Sequence, residues 1–204
     1  MENWILRLFI FSIFGLYSCQ TKFAINSYSS VENIQQVIEN KYFNVDKEYL
    51  YRAKLDVYGH HLNGLFILKK LTNNQYRLVL TTDFGNTLLD FSYINNQLKV
   101  NYIQEDLNRK IIIKTLSNSF AKLLQPNFLA QKKYTTTNEI IWEAKDNKDT
   151  IYLFENTQKE IFQQINTKKW KKYTTFLFQT NNNILEKIEI QYHTLKINIQ
   201  LNIL

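Results

Sequence analysis

The 204-residue chain is predicted to be mainly β with helical cover: one large curved antiparallel sheet with helices across its concave face. Three observations carry that expectation. Apolar and polar residues alternate with period two from Tyr49 to about residue 103, in segments separated by short polar turns. The period changes to that of a helix over 106–124. Alternation then returns and runs to the end, most cleanly in Leu195, Ile197, Ile199, Leu201 and Ile203 against Lys196, Asn198, Gln200 and Asn202. Long strands with one apolar face need a shared lining, which a bent sheet provides.

Taken in order, residues 1–18 stand apart from the fold. The apolar run WILRLFIFSIFGLY is short for a bilayer span of roughly 20 residues, and Leu16-Tyr17-Ser18-Cys19 with polar residues follows it. That pattern reads as a secretory signal ending at Cys19. Residues 19–29 are polar with few anchors and are expected to form a tether about 30 Å long when extended. A single domain is expected over 30–204. Ser29 and Glu32 have capping-box spacing, and Val31, Ile34, Val37 and Ile38 follow helical spacing, which predicts a short helix over 30–40.

Strands follow at about 49–57 and 62–70, then the pair within YRLVLTTDFGNTLLDF, then 97–103. In that pair Tyr76, Leu78 and Leu80 share one face of the first strand, and Thr87, Leu89, Phe91 and Tyr93 one face of the second. The turn carries Phe84 and then Gly85. Glycine supplies the positive φ that tight turns demand, whereas a phenylalanine supplies nothing a turn needs. Phe84 is either an exposed apolar hook or a ring folded back onto the sheet.

From 106 the stripe Leu107, Ile111, Ile112, Leu116, Phe120, Leu123 and Leu124 predicts a helix, with Glu105 and Asp106 at its positive end and Pro126 closing it. A break near Ser117-Asn118 is one option. Further strands are expected near 131–136, 139–144, 149–155, 160–165, 171–179, 184–193 and 195–204. The expected concave set is Tyr51, Leu55, Phe66, Leu68, Leu78, Leu80, Leu89, Phe91, Val100 and Tyr102, with Leu116 and Phe120 from the helix. These are either plain core or the lining of a cavity.

The chemistry-bearing residues exclude more than they suggest. Cys19 is the only cysteine, so an intrachain disulfide and a paired-cysteine metal site are ruled out. It is either an incidental thiol or a lipidation site. His60 and His61 are adjacent and would face opposite sides of a strand, so no metal site is expected. No nucleophile elbow, zinc-binding helix motif or phosphate-cradling glycine loop occurs. No enzyme activity and no cofactor are expected. The formal net charge is +7, and removing residues 1–18 leaves it unchanged. In an exported protein this points away from nucleic acid and toward anionic headgroups or acidic partners. Lys168-Lys169-Trp170-Lys171-Lys172 is the densest basic run, either a headgroup-binding surface or a solvated hairpin.

The run Tyr-Arg-Leu-x-Leu-Thr-x-x-x-Gly-x-Thr-x-Leu, Tyr76 to Leu89, resembles the LolB-like receptors of the LolA/LolB half-barrel family, as does the Leu-x-Ser-Cys ending of the leader. The resemblance implies a half-barrel of about eleven strands with helices over an apolar concavity. It implies that Cys19 is lipidated and becomes the first mature residue. It implies that Phe84, just before Gly85, protrudes and inserts into membranes, and that the concave set receives acyl chains. Asp83 stands where the family often has proline, and Phe84 where leucine is common. The implied function is a lipid-anchored, periplasm-facing outer-membrane lipoprotein, monomeric, that takes acylated lipoproteins from a LolA-like carrier and aids their insertion. The alternative is a lipid-anchored structural or adaptor lipoprotein whose half-barrel is filled by its own side chains and which binds a protein or another lipid.

Overall fold

The computed structural model describes residues 23–25, 28–43, 48–72, 75–95, 97–182 and 184–204; the expected leader and Cys19 lie outside them. The strands are β1 (Ser30–Glu39), β2 (Glu48–Val57), β3 (His60–Thr72), β4 (Gln75–Thr82), β5 (Thr87–Ile94) and β6 (Gln97–Ile103). After the helix α1 (Lys110–Leu123) come β7 (Asn127–Thr135), β8 (Ile140–Asp146), β9 (Asp149–Glu155), β10 (Ile161–Lys168), β11 (Lys171–Asn181), β12 (Ile184–Tyr192) and β13 (Ile197–Ile203). All thirteen join one sheet in the order β1-β7-β8-β9-β10-β11-β12-β13-β2-β3-β4-β5-β6. The sheet does not close, because β1 and β6 form its two edges. The last strand pairs with β2, from Ile197 opposite Val57 to Ile203 opposite Tyr51, so the chain's end zips its two halves together.

The inner face carries α1. One core cluster joins Tyr51, Leu55, Phe66, Leu78 and Phe91 of β2–β5 with Phe176, Ile188 and Ile199 of β11–β13, and with Ile112, Leu116, Phe120 and Leu123 of the helix. Side chains from seven neighbouring strands can meet one helix only if the sheet curls around it. Phe120 sits between Phe66 and Phe91, at centroid distances of 5.6 and 6.2 Å. Lys122, almost buried, reaches Asp146 at 2.8 Å and Asp149 at 3.3 Å and pins the helix to the β8–β9 turn. Asn40 donates to the Leu123 and Gln125 carbonyls and so satisfies acceptors left over at the helix end. Lys122→Met is expected to cost about 1–3 kcal/mol in chemical denaturation, since it leaves two half-buried carboxylates near each other without their shared cation, held only by the neutral donors Asn147 and Tyr173.

Four expectations change. Residues 30–39 form an edge strand, β1, and not a helix. Ile34 and Ile38 are four apart, a spacing that places them on one face of either element, and a bulge between Asn33 and Gln36 adds to the irregular pattern. This strand raises the count above the expected eleven or so. Among the described residues a single α-helix covers the inner face instead of several. That helix starts at Lys110 and is continuous through Ser117-Asn118; Glu105 and Asp106 belong to a separate 3₁₀ turn, cut off where Asn108 and Arg109 leave helical backbone angles.

Every neighbouring pair is antiparallel, so successive hairpins alternate between the two ends of the sheet. The turns at 58–59, 83–86, 147–148, 169–170 and 193–196 all fall at one end. This end is called the upper rim below.

Candidate functional site

The expected acyl lining is a closed core. Tyr51, Leu55, Phe66, Leu68, Leu78, Leu80, Leu89, Phe91, Leu116 and Phe120 are each at most 2% exposed and pack against one another and the helix. Val100 is half-buried at the sheet edge. Tyr102 does not belong to the set: it is 49% exposed. The pairing of β5 with β6 runs from Asp90 opposite Tyr102 directly to Phe91 opposite Val100. The extra residue, Asn101, reverses the alternation, so Ile103 takes the inward place expected of Tyr102.

Open space lies elsewhere on the inner face. A cavity of about 440 Å³ is bounded by the end of β1, the connector Asn40–Tyr42, Phe128 of β7, and β9–β11 with the turn between β9 and β10. Its apolar wall includes Ile38, Tyr42, Phe128, Leu153, Ile161 and Phe178. Tyr42 lies tilted against Phe178, with ring centroids 5.1 Å apart, and donates its hydroxyl to the Ile161 carbonyl. Burial, and then the charge of Glu160, push the Tyr42 pKa up, so the phenol stays protonated. Glu155 accepts from the Trp142 indole at 3.1 Å, and Glu160 from the Asn156 amide at 3.2 Å. Gln164 also lines the cavity and donates at 3.0 Å to Asn166, one strand position deeper. The Asn166 amide nitrogen and the Thr174 hydroxyl opposite it are buried without partners among the described residues. The cavity is thus mixed in character: its apolar residues share the lining with Glu39, Lys41, Glu155, Lys159, Glu160 and Gln164.

None of these residues was singled out by sequence reasoning. The sequence marks 149–155 and 171–179 as strands, but which strands border open space is not encoded in period. Tyr42 carries no signal of its own.

Phe84 stands on the upper rim and is 94% exposed, which removes the folded-back alternative for its ring. The loop beneath it is tightly braced. Thr82 donates its backbone N–H to the Asn86 carbonyl at 2.8 Å, the Gly85 N–H bonds to the Thr82 carbonyl at 3.0 Å, and the Asn86 N–H to the Thr82 hydroxyl at 3.1 Å. Gly85 has φ +86°, as a turn glycine should. Asp83 pairs with Arg52 of β2.

The described part of the expected tether lies on the body. Phe23 packs edge-on against Tyr152 at 4.8 Å, under the Lys172 ammonium, and its N–H bonds to the Trp170 carbonyl at 2.8 Å. Ile25 joins the same outer-face cluster, and Tyr28 meets Tyr134 at 5.2 Å. The apolar Phe23 and Ile25 within a polar stretch were the available signal. Chain able to act as a spacer after Cys19 is correspondingly shortened.

No family model and no curated protein matches the chain by sequence. Solved structures do match its shape. A domain described as a "putative outer membrane lipoprotein-sorting protein domain" from Vibrio parahaemolyticus overlaps 80% of this chain and 85% of its own at 6% identity, with a TM-score of 0.45. A LolA superfamily protein from Nitrosomonas europaea overlaps 80% of this chain and 86% of its own at 9% identity, with a TM-score of 0.55. The open, curled antiparallel sheet with its inner helix is therefore a LolA-like fold.

Proposed function

We propose that this chain is a lipid-anchored outer-membrane lipoprotein, attached through Cys19, that receives the acyl chains of other lipoproteins and helps insert them into the membrane. Phe84 is the observation that carries the reading: an almost fully exposed aromatic on a braced turn at one end of a LolA-like sheet. A side chain that gains nothing from the fold is kept for something outside it. The cavity is the receiving space. It falls within the range of small-ligand sites, and each methylene transferred to it from water contributes about 0.8 kcal/mol. Gln164, Lys41 and Lys159 in its lining offer hydrogen bonds to the ester and amide carbonyls where acyl chains meet a lipoprotein. No bond is made or broken: cargo moves from a LolA-like carrier to the slot to the bilayer, down a series of apolar surfaces. The protein works in this scheme as a monomer on the periplasmic side of the outer membrane.

The packed core under α1 favours the second reading, a lipid-anchored adaptor whose half-barrel is filled by its own side chains. A fluorescent fatty acid separates the two. Under the first reading it binds the chain, a triacylated lipopeptide displaces it, and Ile161→Trp, which fills the slot from a half-buried position, weakens binding about tenfold or more with little change in thermal stability. Absence of binding to the unaltered chain would leave only the adaptor.

A further inference from the structure

We propose that the β10–β11 tip, Lys168 to Lys172, is a second membrane contact that binds anionic phospholipid headgroups and sets the body's orientation beside its anchor. The proposal rests on the membrane-anchored reading above and adds a surface and a lipid class to it.

Topology supplies the first argument. Three hairpin apices of the upper rim carry exposed aromatics: Tyr58 at 39%, Phe84 at 94% and Trp170 at 58%. Aromatic rings with polar edges favour the headgroup layer of a membrane. The fold places them at one end although they lie far apart in sequence.

Charge supplies the second. Lys168, Lys169, Lys171 and Lys172 are exposed, and none has a carboxylate partner among the described residues. Other described lysines, such as Lys54, Lys99 and Lys145, also lack a carboxylate partner, but no other five-residue stretch of the sequence holds four lysines. Lys168, Lys169 and Lys171, with the Lys172 ammonium over the Phe23 ring beside them, suit a negatively charged plane.

Backbone supplies the third. Lys169 and Trp170 both lie in the left-handed region, at φ 49° and 67°. A two-residue turn of that shape is normally Asn-Gly, because other side chains are strained there. Here a lysine and a tryptophan occupy it, so stability has been given up for what those side chains do on the surface.

The leader supplies the fourth. Phe23 is bonded to the Trp170 carbonyl and roofed by Lys172, so the chain reaches the body at this tip. Cys19 is only four residues upstream, at most about 14 Å of extended chain. An acylated Cys19 would hold the tip at headgroup depth.

The test is flotation of the full chain with vesicles of phosphatidylcholine alone and of phosphatidylcholine with phosphatidylglycerol, at low and high salt. Tighter binding to the anionic vesicles is expected, with the difference reduced by salt. Lys168→Gln, Lys169→Gln and Lys171→Gln together should remove that difference, a loss of about tenfold or more. Trp170→Gly should weaken binding to both vesicles while thermal stability holds or rises, since it relieves the left-handed position. Equal binding of the triple variant and the unaltered chain to anionic vesicles would overturn the proposal, as would loss of binding to an acidic protein partner with vesicle binding intact. The anchor is read separately by the mass of Cys19. An unacylated cysteine would sink the anchor, while the difference between the two vesicles would still decide the tip.

Discussion

Phe120→Ala is expected to lower the unfolding free energy by about 3–5 kcal/mol in chemical denaturation, the usual range for deleting a buried aromatic ring. The ring is 1% exposed and lies between Phe66 and Phe91, so no single neighbour can collapse into the space. Leu116, a helical turn earlier, is fully buried on the same face and stays in contact with the sheet. The loss should therefore appear as a void beneath an otherwise attached helix. This makes the variant a probe of the interior as well as of stability. If the interior under α1 is simply core, the variant gains no affinity for a fatty acid, and its stability does not recover when one is added. If α1 is instead a cover that a ligand can lift, the measured cost falls well below 3 kcal/mol, because the helix would already exchange between seated and raised positions.

The sheet was legible because period two survives in strands with one wet face. Leu78, Leu80, Leu89 and Phe91 were read as inward and are buried. The long alternation at the C-terminus became β13, which pairs with β2 and joins the β7–β12 run to the β2–β6 run. Two kinds of feature were hidden. Bulges shift the phase by one residue without leaving a mark in composition, which is how Tyr102 and the 30–39 strand were misread. Curvature is also silent. The residues expected to line a cavity became core because the helix packs on them, whereas the space lies over β9–β11, bounded by the end of β1 and the Asn40–Tyr42 connector. Phe84 was visible because it broke a rule: an apolar ring in a polar turn is inconsistent with every local demand, and such inconsistency tends to mark function.

Phe84→Glu is expected to leave stability within about 0.5 kcal/mol of the unaltered chain and to abolish delivery of a triacylated lipoprotein to vesicles. The first half follows from exposure, since the ring makes little contact that the substitution could remove. The braces of the loop are backbone bonds and the Thr82 hydroxyl, none of which uses the Phe84 side chain. The second half follows from transfer energetics. Seating a phenylalanine in the acyl region contributes about 1.5–3 kcal/mol, roughly a 10- to 150-fold preference for the docked state. A carboxylate there reverses the sign, because a charge must be left in the headgroups or carried into hydrocarbon. Phe84→Leu, which keeps the apolar character, should retain most of the delivery, and Phe84→Ala should fall between. The graded series matters more than the single loss. Delivery that follows side-chain hydrophobicity at constant thermal stability would identify insertion as the step Phe84 serves. Delivery that persists with glutamate would remove the hook from the mechanism, and a fall in melting temperature with glutamate would mean that the ring supports the rim and not the membrane.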